Sequence, residues 1–390
     1  MNLTIIPFHD WRKNEKEGFR TRDSHLIKAL YNNKKVNKVL VINRPTTLLE
    51  LAYKKTSKKI IGRVIMKRKK FTLYEVDKNL YVVDFISGDI IGQATKKQKW
   101  FLDIYTHKGY TNFIKECWNK LSIDNTFLIS QNIFAYKLAL ELPAKTKLFD
   151  AWDNFLKFPA YKSIKDELSK GYRMLAKESI SWVTNSNENI IFFKTNYNVK
   201  KIELLKNGVK DDFATNYSTI PKDLNQIKRP IIGFGGKISY LLNVELINFL
   251  TKDNSEFSFV FVGQILDKNT FSAIEKNKNV YFLGDKHYTE YPNYVQNFDV
   301  CIIPYNTGKG QHGGDSLKAY EYLSTGKKVV GTKGNGLEDL KDYLYLAETA
   351  EEFSKELSTL SNEKPRMNIA NYSWKSKALF LIKMLDETIT

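Results

Sequence analysis

The stretch from Asp299 to Gly331 holds residue types that could do chemistry together. It opens on an apolar run, Val300-Cys301-Ile302-Ile303, that stops at Pro304, as a buried parallel strand would. A loop follows with Gly308, Gly310, Gly313 and Gly314. Ser316 can cap a helix that carries Lys318 near its start and Glu321 one turn in. Gly326 ends that helix, and Val329-Val330 open the next strand. Backbone amides, a helix N-terminus, a lysine and a carboxylate are thus gathered in one strand–loop–helix unit. That set suits a sugar nucleotide, with phosphates at the helix start and ribose hydroxyls at the carboxylate.

Two further places carry candidate groups. Ile231-Ile232-Gly233-Phe234-Gly235-Gly236-Lys237 reads as a strand running into a Gly turn, with a lysine behind it. Near the N-terminus, a strand at residues 3–8 leads into a polar loop with His9, Asp10, Trp11 and Arg12, then Gly18, Phe19 and Arg20. A helix takes over around Asp23, Ser24 and His25. Gly18 would let the loop backbone come close to a ligand. A strand at residues 146–150 ends on Asp150. His9, Asp10, Asp23 and Asp150 are the groups available there to take a proton from an acceptor. The N-terminal Gly loop lacks the GxGxxG spacing of dinucleotide sites, and no Cys/His spacing suggests a metal.

The elements that position these groups alternate between strand and helix. Strands are expected at residues 38–43, 81–85, 126–130, 146–150, 181–185 and 201–205, with helices over 111–121, 133–140 and 163–179. A polar stretch over 210–229 contains Pro221 and adjoins Pro230, and the domain boundary belongs there. A second series follows: strands at 231–235, 257–262, 280–284 and 300–304, helices at 244–250 and 291–296, and an amphipathic helix over 372–389. This is an α/β chain of two doubly wound, Rossmann-like domains, whose strand ends surround a cleft where ligands of open sheets bind.

Composition narrows the class. At 390 residues two domains are expected, and 42% hydrophobic residues suffice for real cores. No apolar run reaches the ~18 residues of a membrane helix, and the first residues lack a signal-peptide pattern. Cys117 and Cys301 sit in apolar company, which fits a reducing cytoplasm. The net charge of +18 favours a polyanionic partner: nucleic acid, an anionic membrane or a phosphorylated substrate. Its densest cluster runs from Lys54-Lys55 through Lys58-Lys59 and Arg63 to Lys67-Arg68-Lys69-Lys70, threaded with Ile60, Ile61, Val64, Ile65 and Met66. Such a segment can lie on anionic lipid, or be the solvated face of a helix.

With these motifs in place, the sequence resembles a glycosyltransferase of the GT-B fold. It is most similar to the retaining family 4 group, within it to bacterial enzymes of teichuronic acid and surface polysaccharide synthesis. The resemblance rests on Gly233-Phe234-Gly235-Gly236-Lys237-Ile238, on Tyr291-Pro292-Asn293-Tyr294 leading to Phe298–Pro304, and above all on Ser316–Lys327. Asn207-Gly208-Val209 and Asp150-Ala151-Trp152-Asp153 match weaker features. It implies an acceptor-binding domain over 1–222, a nucleotide-sugar domain over 223–370 and a helix over 371–390 crossing back to the first domain. Glu321 should hold the donor ribose, and Ser316, Leu317 and Lys318 the diphosphate. Lys237, behind Gly236, should neutralise the leaving phosphate. His25 should face the cleft as a catalytic residue, with Gly18 close to the donor. His9, Asp10, Arg20 and Asp150 are the acceptor-side candidates.

One departure stands out. Many relatives carry a second glutamate eight residues before the ribose-binding one, where this chain has Gly313. His312, Gly313, Gly314 and Asp315 are therefore the candidates for touching the donor sugar. The expected reaction moves a sugar from UDP-, GDP- or another nucleotide to a lipid-linked or polymeric glycan. It is expected to retain configuration and to need no metal or other cofactor. The enzyme would work in the cytoplasm or peripherally at the inner face of the cell membrane. A sugar-nucleotide epimerase of the same fold is the nearest rival. A nucleic-acid-binding protein is the rival from another class, and the absence of a recognisable nucleic-acid motif speaks against it.

Overall fold

The computed structural model describes residues 1–123, 126–178, 180–215, 219–308 and 314–387. They divide into two compact units, Met1–Lys206 with Lys377–Thr390, and Asn207–Ser376.

The first unit starts with β1 (Asn2–Ile6), α1 (Trp11–Glu17), α2 (Arg22–Tyr31), β2 (Lys38–Ile42), β3 (Thr46–Thr47) and α3 (Leu48–Tyr53). Next come β4 (Arg63–Arg68), β5 (Phe71–Asp77), β6 (Leu80–Ser87), α4 (Ile90–Lys96), α5 (Lys99–Ile104) and α6 (Lys108–Leu121). The series ends with β7 (Thr126–Ser130), α7 (Tyr136–Glu141), β8 (Thr146–Asp150), α8 (Lys165–Lys177), β9 (Ser181–Thr184), α9 (Asn187–Tyr197) and β10 (Ile202–Leu204). The sheet order is β10-β9-β8-β7-β1-β2-β6-β5-β4, with β3 also on β6. It is parallel from β10 to β6 and antiparallel at β5 and β4. Successive connections from β1 go outward on both sides, to β2 and to β7, so the topology switches at the β1–β7 pair.

Two expectations fail here. Residues 11–17 form a helix rather than loop, because the Asp10 side chain accepts from the Arg12 and Lys13 amides and caps it. The basic segment does not form a helix either. Residues 63–68 are β4, an edge strand, and its lysines and arginines blunt an edge that could otherwise pair with another chain.

The second unit runs β11 (Ile231–Gly235), α10 (Val244–Asp253), β12 (Ser258–Val262), α11 (Lys268–Ala273), β13 (Val280–Gly284), α12 (Tyr291–Gln296), β14 (Val300–Ile303) and α13 (Leu317–Ser324). It closes with β15 (Lys328–Thr332), β16 (Tyr345–Ala347), α14 (Ala350–Ser358) and α15 (Ile369–Tyr372), and α16 (Trp374–Glu387) begins here and continues into the first unit. The order β13-β12-β11-β14-β15-β16 is parallel throughout and switches at β11–β14. Alternate residues feed two cores. Ile231, Cys301, Ile303 and Val329 pack in one, and Ile232, Val300, Ile302 and Val330 in the other. Burial on both faces is why these strands read as unbroken apolar runs.

The division at residue 206 lies upstream of the expected 222. Val209, Phe213, Leu224 and Ile227 belong to the second unit's core with Ile231, so the polar stretch is a strap on that unit rather than a linker. The return to the first unit falls within α16, at Lys377, rather than at 371. Both cysteines are buried free thiols. Among the described residues no helix is long and apolar enough to cross a membrane.

Candidate functional site

In the second unit the candidate groups converge at the switch point. β11 ends in a run of glycines because aromatic side chains fill the space beside it. A Cβ on Gly233 would fall 2.1 Å from Phe298, and one on Gly235 would fall 1.8 Å from the Tyr291 hydroxyl. Tyr322 Oη accepts the Gly235 N–H at 2.6 Å and donates to the Gly235 carbonyl at 2.9 Å. Gly236 then turns at φ 153°, a conformation that favours glycine, with its N–H on the Val262 carbonyl at 2.8 Å. The exposed Lys237 leaves this turn.

The first turn of α13 meets the same place. The Lys318 Cε would stand 2.8 Å from a Cβ on Gly236. Its ammonium donates to Tyr305 Oη and lies 4.7 Å and 5.4 Å from the ring centroids of Tyr305 and Phe234. A cation in the first turn, with no acid there, stands at the positive end of the helix dipole. An anion bound at that turn would reverse the penalty. Ser316 occupies the N-cap position, but its side chain makes no cap bond. Its hydroxyl is buried without a hydrogen-bond partner among the described residues. Leu317 is the first residue of the helix.

Glu321, 4% exposed, follows one turn later and accepts from Tyr288 Oη at 2.5 Å. Burial, reinforced by the Glu321 carboxylate, pushes the Tyr288 phenol well above its ordinary value and keeps it a donor. Asp315 is buried in a network that ties α13 to Asn207. Its carboxylate accepts from the Asn207 N–H at 2.5 Å and Tyr320 Oη at 2.7 Å, and its carbonyl accepts from the Asn207 amide at 2.7 Å. Gly314 packs its carbonyl toward Gly336. His312 and Gly313 lie outside the described residues.

In the first unit a cavity of about 450 Å³ opens where β1, β2, β6 and β7 end, beside the switch point. His9 and Asp10 line it, as do Phe8, Lys13, Arg44, Glu50, Lys54, Gln93, Lys97, Phe101, Asn132 and Tyr161. His9 Nδ1 is 3.0 Å from Asp23 Oδ2, which also accepts the Phe8 and His9 amides at 3.1 and 2.8 Å. Burial raises the Asp23 carboxyl, but His9 and these bonds outweigh it and hold the group well below the carboxylate range. The contact with Asp23 fixes the orientation of the His9 imidazole, which lines the cavity.

The other N-terminal candidates do not join this cavity. Gly18 is the left-handed C-cap of α1, at φ 79°. Arg20 pairs with Glu17 at 2.9 Å. His25 is 4% exposed within α2. Asp150 is buried against Arg22 at 3.1 Å and Gln131 at 3.0 Å, and Arg22 also holds the Leu205 carbonyl at 2.8 Å. It ties strand ends together. Most of the residues missed by sequence reasoning come from 44–101, where α3 and α4 are too short for periodicity to register, and Lys13, Asn132 and Tyr161 join them from distant segments. The signal for α3 was Thr47-Leu48-Leu49-Glu50, a capping pattern whose Thr47 side chain accepts the Glu50 amide. Among the described residues no three His, Cys, Asp or Glu side chains gather as a metal site would require.

The chain is similar to known proteins in part of its sequence and in its fold. Residues 236–363 match the family described as glycosyl transferases group 1. Over 137 residues the chain is 28% identical to TuaH, the proposed teichuronic acid biosynthesis glycosyltransferase of Bacillus subtilis. That match spans 34% of this chain and about a third, 34%, of the relative. In structure it resembles sucrose-phosphate synthase from Thermosynechococcus elongatus, with TM-score 0.67 and 12% identity over 100% of this chain and 99% of that one. A trehalose-phosphate synthase from Burkholderia xenovorans, in complex with glucose-6-phosphate, gives TM-score 0.64 and 10% identity over 99% and 100% of the two chains. An Escherichia coli structure named for trehalose-6-phosphate, bound with UDP-2-fluoro glucose, gives 0.62 and 10% over 98% and 96%. The fold is that of GT-B glycosyltransferases, and residues 236–363 are similar to the glycosyl transferases group 1 family.

Proposed function

We propose that this chain is a glycosyltransferase that moves a sugar from a nucleotide diphosphate to a glycan acceptor in the synthesis of a bacterial surface polysaccharide. The observation that carries the reading is the meeting of the Gly236 turn with the first turn of α13. Lys318 lies over the glycine, the Ser316 hydroxyl stands unbonded among the described residues, and Glu321 is buried one turn on. The likeness to TuaH supports the polysaccharide role, and the neighbours that hold a UDP-sugar and a sugar phosphate support the substrate classes.

In this reading the second unit holds the donor. Glu321 takes the ribose hydroxyls, and the α13 amides with Ser316 and Lys318 take the diphosphate. The bond from the sugar C1 to the β-phosphate oxygen breaks as the bond from C1 to the acceptor oxygen forms on the same face, so configuration is retained. The acceptor proton passes to the departing diphosphate. Lys237 and Lys318 stabilise the charge that builds there, the part a metal plays in other transferases. The first unit holds the acceptor. His9, oriented by Asp23, accepts a hydrogen bond from the acceptor hydroxyl, a role for which the buried His25 is poorly placed.

The chain works on the cytoplasmic face of the membrane as a peripheral protein. The basic β4 edge and the exposed Tyr53, Ile61 and Val64 support that location. A screen of sugar nucleotides for thermal stabilisation tests the donor site, since a ligand of the folded state raises its melting temperature. One nucleotide class is expected to stabilise the wild type. Glu321→Ala is expected to lose that stabilisation, with transfer reduced at least about tenfold, as loss of a charged hydrogen-bond acceptor predicts. An unchanged shift in Glu321→Ala would remove the assignment.

A further inference from the structure

The cavity of the first unit is built for charge. The Arg44 side chain is 15% exposed, pairs with Glu50 and stacks with its Cζ 4.6 Å from the Phe101 ring centroid. Among the described residues Glu50 is its sole hydrogen-bond partner, which leaves most of its N–H groups for a ligand. Lys13, Lys54 and Lys97 line the same cavity. The two acids on its wall are already engaged. Asp10 caps α1 and meets Arg12 and Asn43, while Glu50 meets Arg44, Lys54 and Gln93. Arg44 and Lys54 share Glu50, and Lys13 lies 3.5 Å from Glu17, yet four cations against two carboxylates leave the lining net positive, which favours an anion, and a planar guanidinium suits a phosphate.

The rim is apolar. Glu50 of α3, with Lys54 capping it, and Gln93 of α4, with Lys97 behind it, belong to the cavity wall. Gln93 joins the helices, donating to Glu50 Oε2 at 2.6 Å and accepting from Thr47. Yet Leu48, Leu49 and Tyr53 of α3 are 48%, 52% and 86% exposed, and Ile90 and Ile91 of α4 are 38% and 79% exposed. A helix on a soluble domain turns such residues inward, whereas α4 buries none of its residues. Large apolar side chains left exposed beside a cationic cavity mark a binding surface.

We infer that this cavity and its rim form a subsite for a lipid-linked phosphate. The phosphate meets Arg44 and the lysines, and the alkyl chain crosses the exposed faces of α3 and α4. That this ligand is the sugar acceptor rests on the transferase reading above; the anion-plus-alkyl binding chemistry does not.

The test is a titration of the full chain with octyl phosphate, octyl glucoside and inorganic phosphate, each below its aggregation limit. Octyl phosphate is expected to bind at least about tenfold more tightly than either of the others, the alkyl chain and the charge each contributing. Arg44→Gln is expected to erase the preference over octyl glucoside. Lys97→Gln, at an exposed position, is expected to reduce it, and serves if the arginine variant fails to fold. Ile91→Ser is expected to reduce the preference over inorganic phosphate, and nucleotide-sugar binding is expected to be unchanged in all three. Equal affinity for octyl phosphate and octyl glucoside, or for octyl phosphate and inorganic phosphate, would overturn the subsite. The preference without transfer from any sugar nucleotide would uphold the subsite and sink the transferase reading. Transfer without the preference would do the reverse.

Discussion

Burial alone would raise the Glu50 carboxyl, yet Arg44 and Lys54 bring it down from 4.5 to about 2. An acid whose folded-state pKa is depressed contributes stability that is present above its unfolded pKa and fades as pH falls through the folded one. Between about 4.5 and about 2 the unfolded chain binds more protons at this site, so stability rises with pH across that window. Glu50→Gln is expected to flatten that part of the pH–stability curve and to cost up to about 3 kcal/mol at neutral pH, read by denaturant titration. A curve as steep as that of the wild type would place the acid sensitivity elsewhere, at Asp23 first, whose carboxyl His9 holds down in the same sense. At the donor site the matching pair is Tyr288 and Glu321. Tyr288→Phe removes the hydroxyl that donates to Glu321 at 2.5 Å. Donor binding is then expected to weaken by roughly ten- to hundredfold, as loss of one hydrogen bond to a charged group implies, with the effect confined to donor KM. A loss in kcat alone would mean that Tyr288 acts on the transition state.

At the scale of elements, the donor site depends on turns that touch. A Cβ on Gly263, which follows β12, would fall 1.9 Å from the Gly236 carbonyl oxygen. Gly263→Ala must therefore displace the β11 turn. Overpacking of this kind costs about 1–3 kcal/mol, and donor affinity is expected to fall with it. Gly284, which ends β13, also has a positive φ of 73° but nothing within 4 Å of an added Cβ. Gly284→Ala is expected to cost about 1 kcal/mol and to leave donor binding intact. Comparing melting temperature with donor affinity in the two variants separates the touching turn from mere backbone strain. The donor side was legible in the sequence because it is made of local units: an apolar strand, a glycine turn, and a helix with Lys318 and Glu321 at fixed spacing. The acceptor-side cavity was not. Its walls come from segments as far apart as Phe8, Arg44, Gln93 and Asn132, and its helices are six or seven residues long. The partners of Asp150 and Asp315 were hidden for a related reason, because sequence shows an acid but not the distant Arg22 or Asn207 that bonds to it.

For the whole molecule, the chain leaves the first unit at Lys206 and returns to it at Lys377, within α16. Ala378, Leu381, Ile382 and Leu385 are 0–1% exposed. Burying one leucine or isoleucine side chain contributes about 1.5–3 kcal/mol, so ending the chain at Ser376 is expected to lower the first unit's stability by several kcal/mol. The second unit's core, from Val209 to Met367, lies before the cut and is expected to keep its own melting transition. A single unchanged transition in calorimetry would show that the terminal helix carries little of the fold. The net charge of +18 acts at the same scale, but its location decides its use. Lys67, Arg68, Lys69 and Lys70 lie at the β4–β5 hairpin, all exposed or nearly so, where an edge strand needs charge to stay unpaired. Edge protection works with either sign of charge, whereas attraction to anionic lipid needs the positive one. Reversing these four to glutamate therefore separates the two roles. Binding to anionic vesicles is expected to drop by at least about tenfold at physiological salt, at ~1 kcal/mol per basic residue, while the fold and the oligomeric state of the wild type are kept. Undiminished vesicle binding would leave the hairpin charges with edge protection alone.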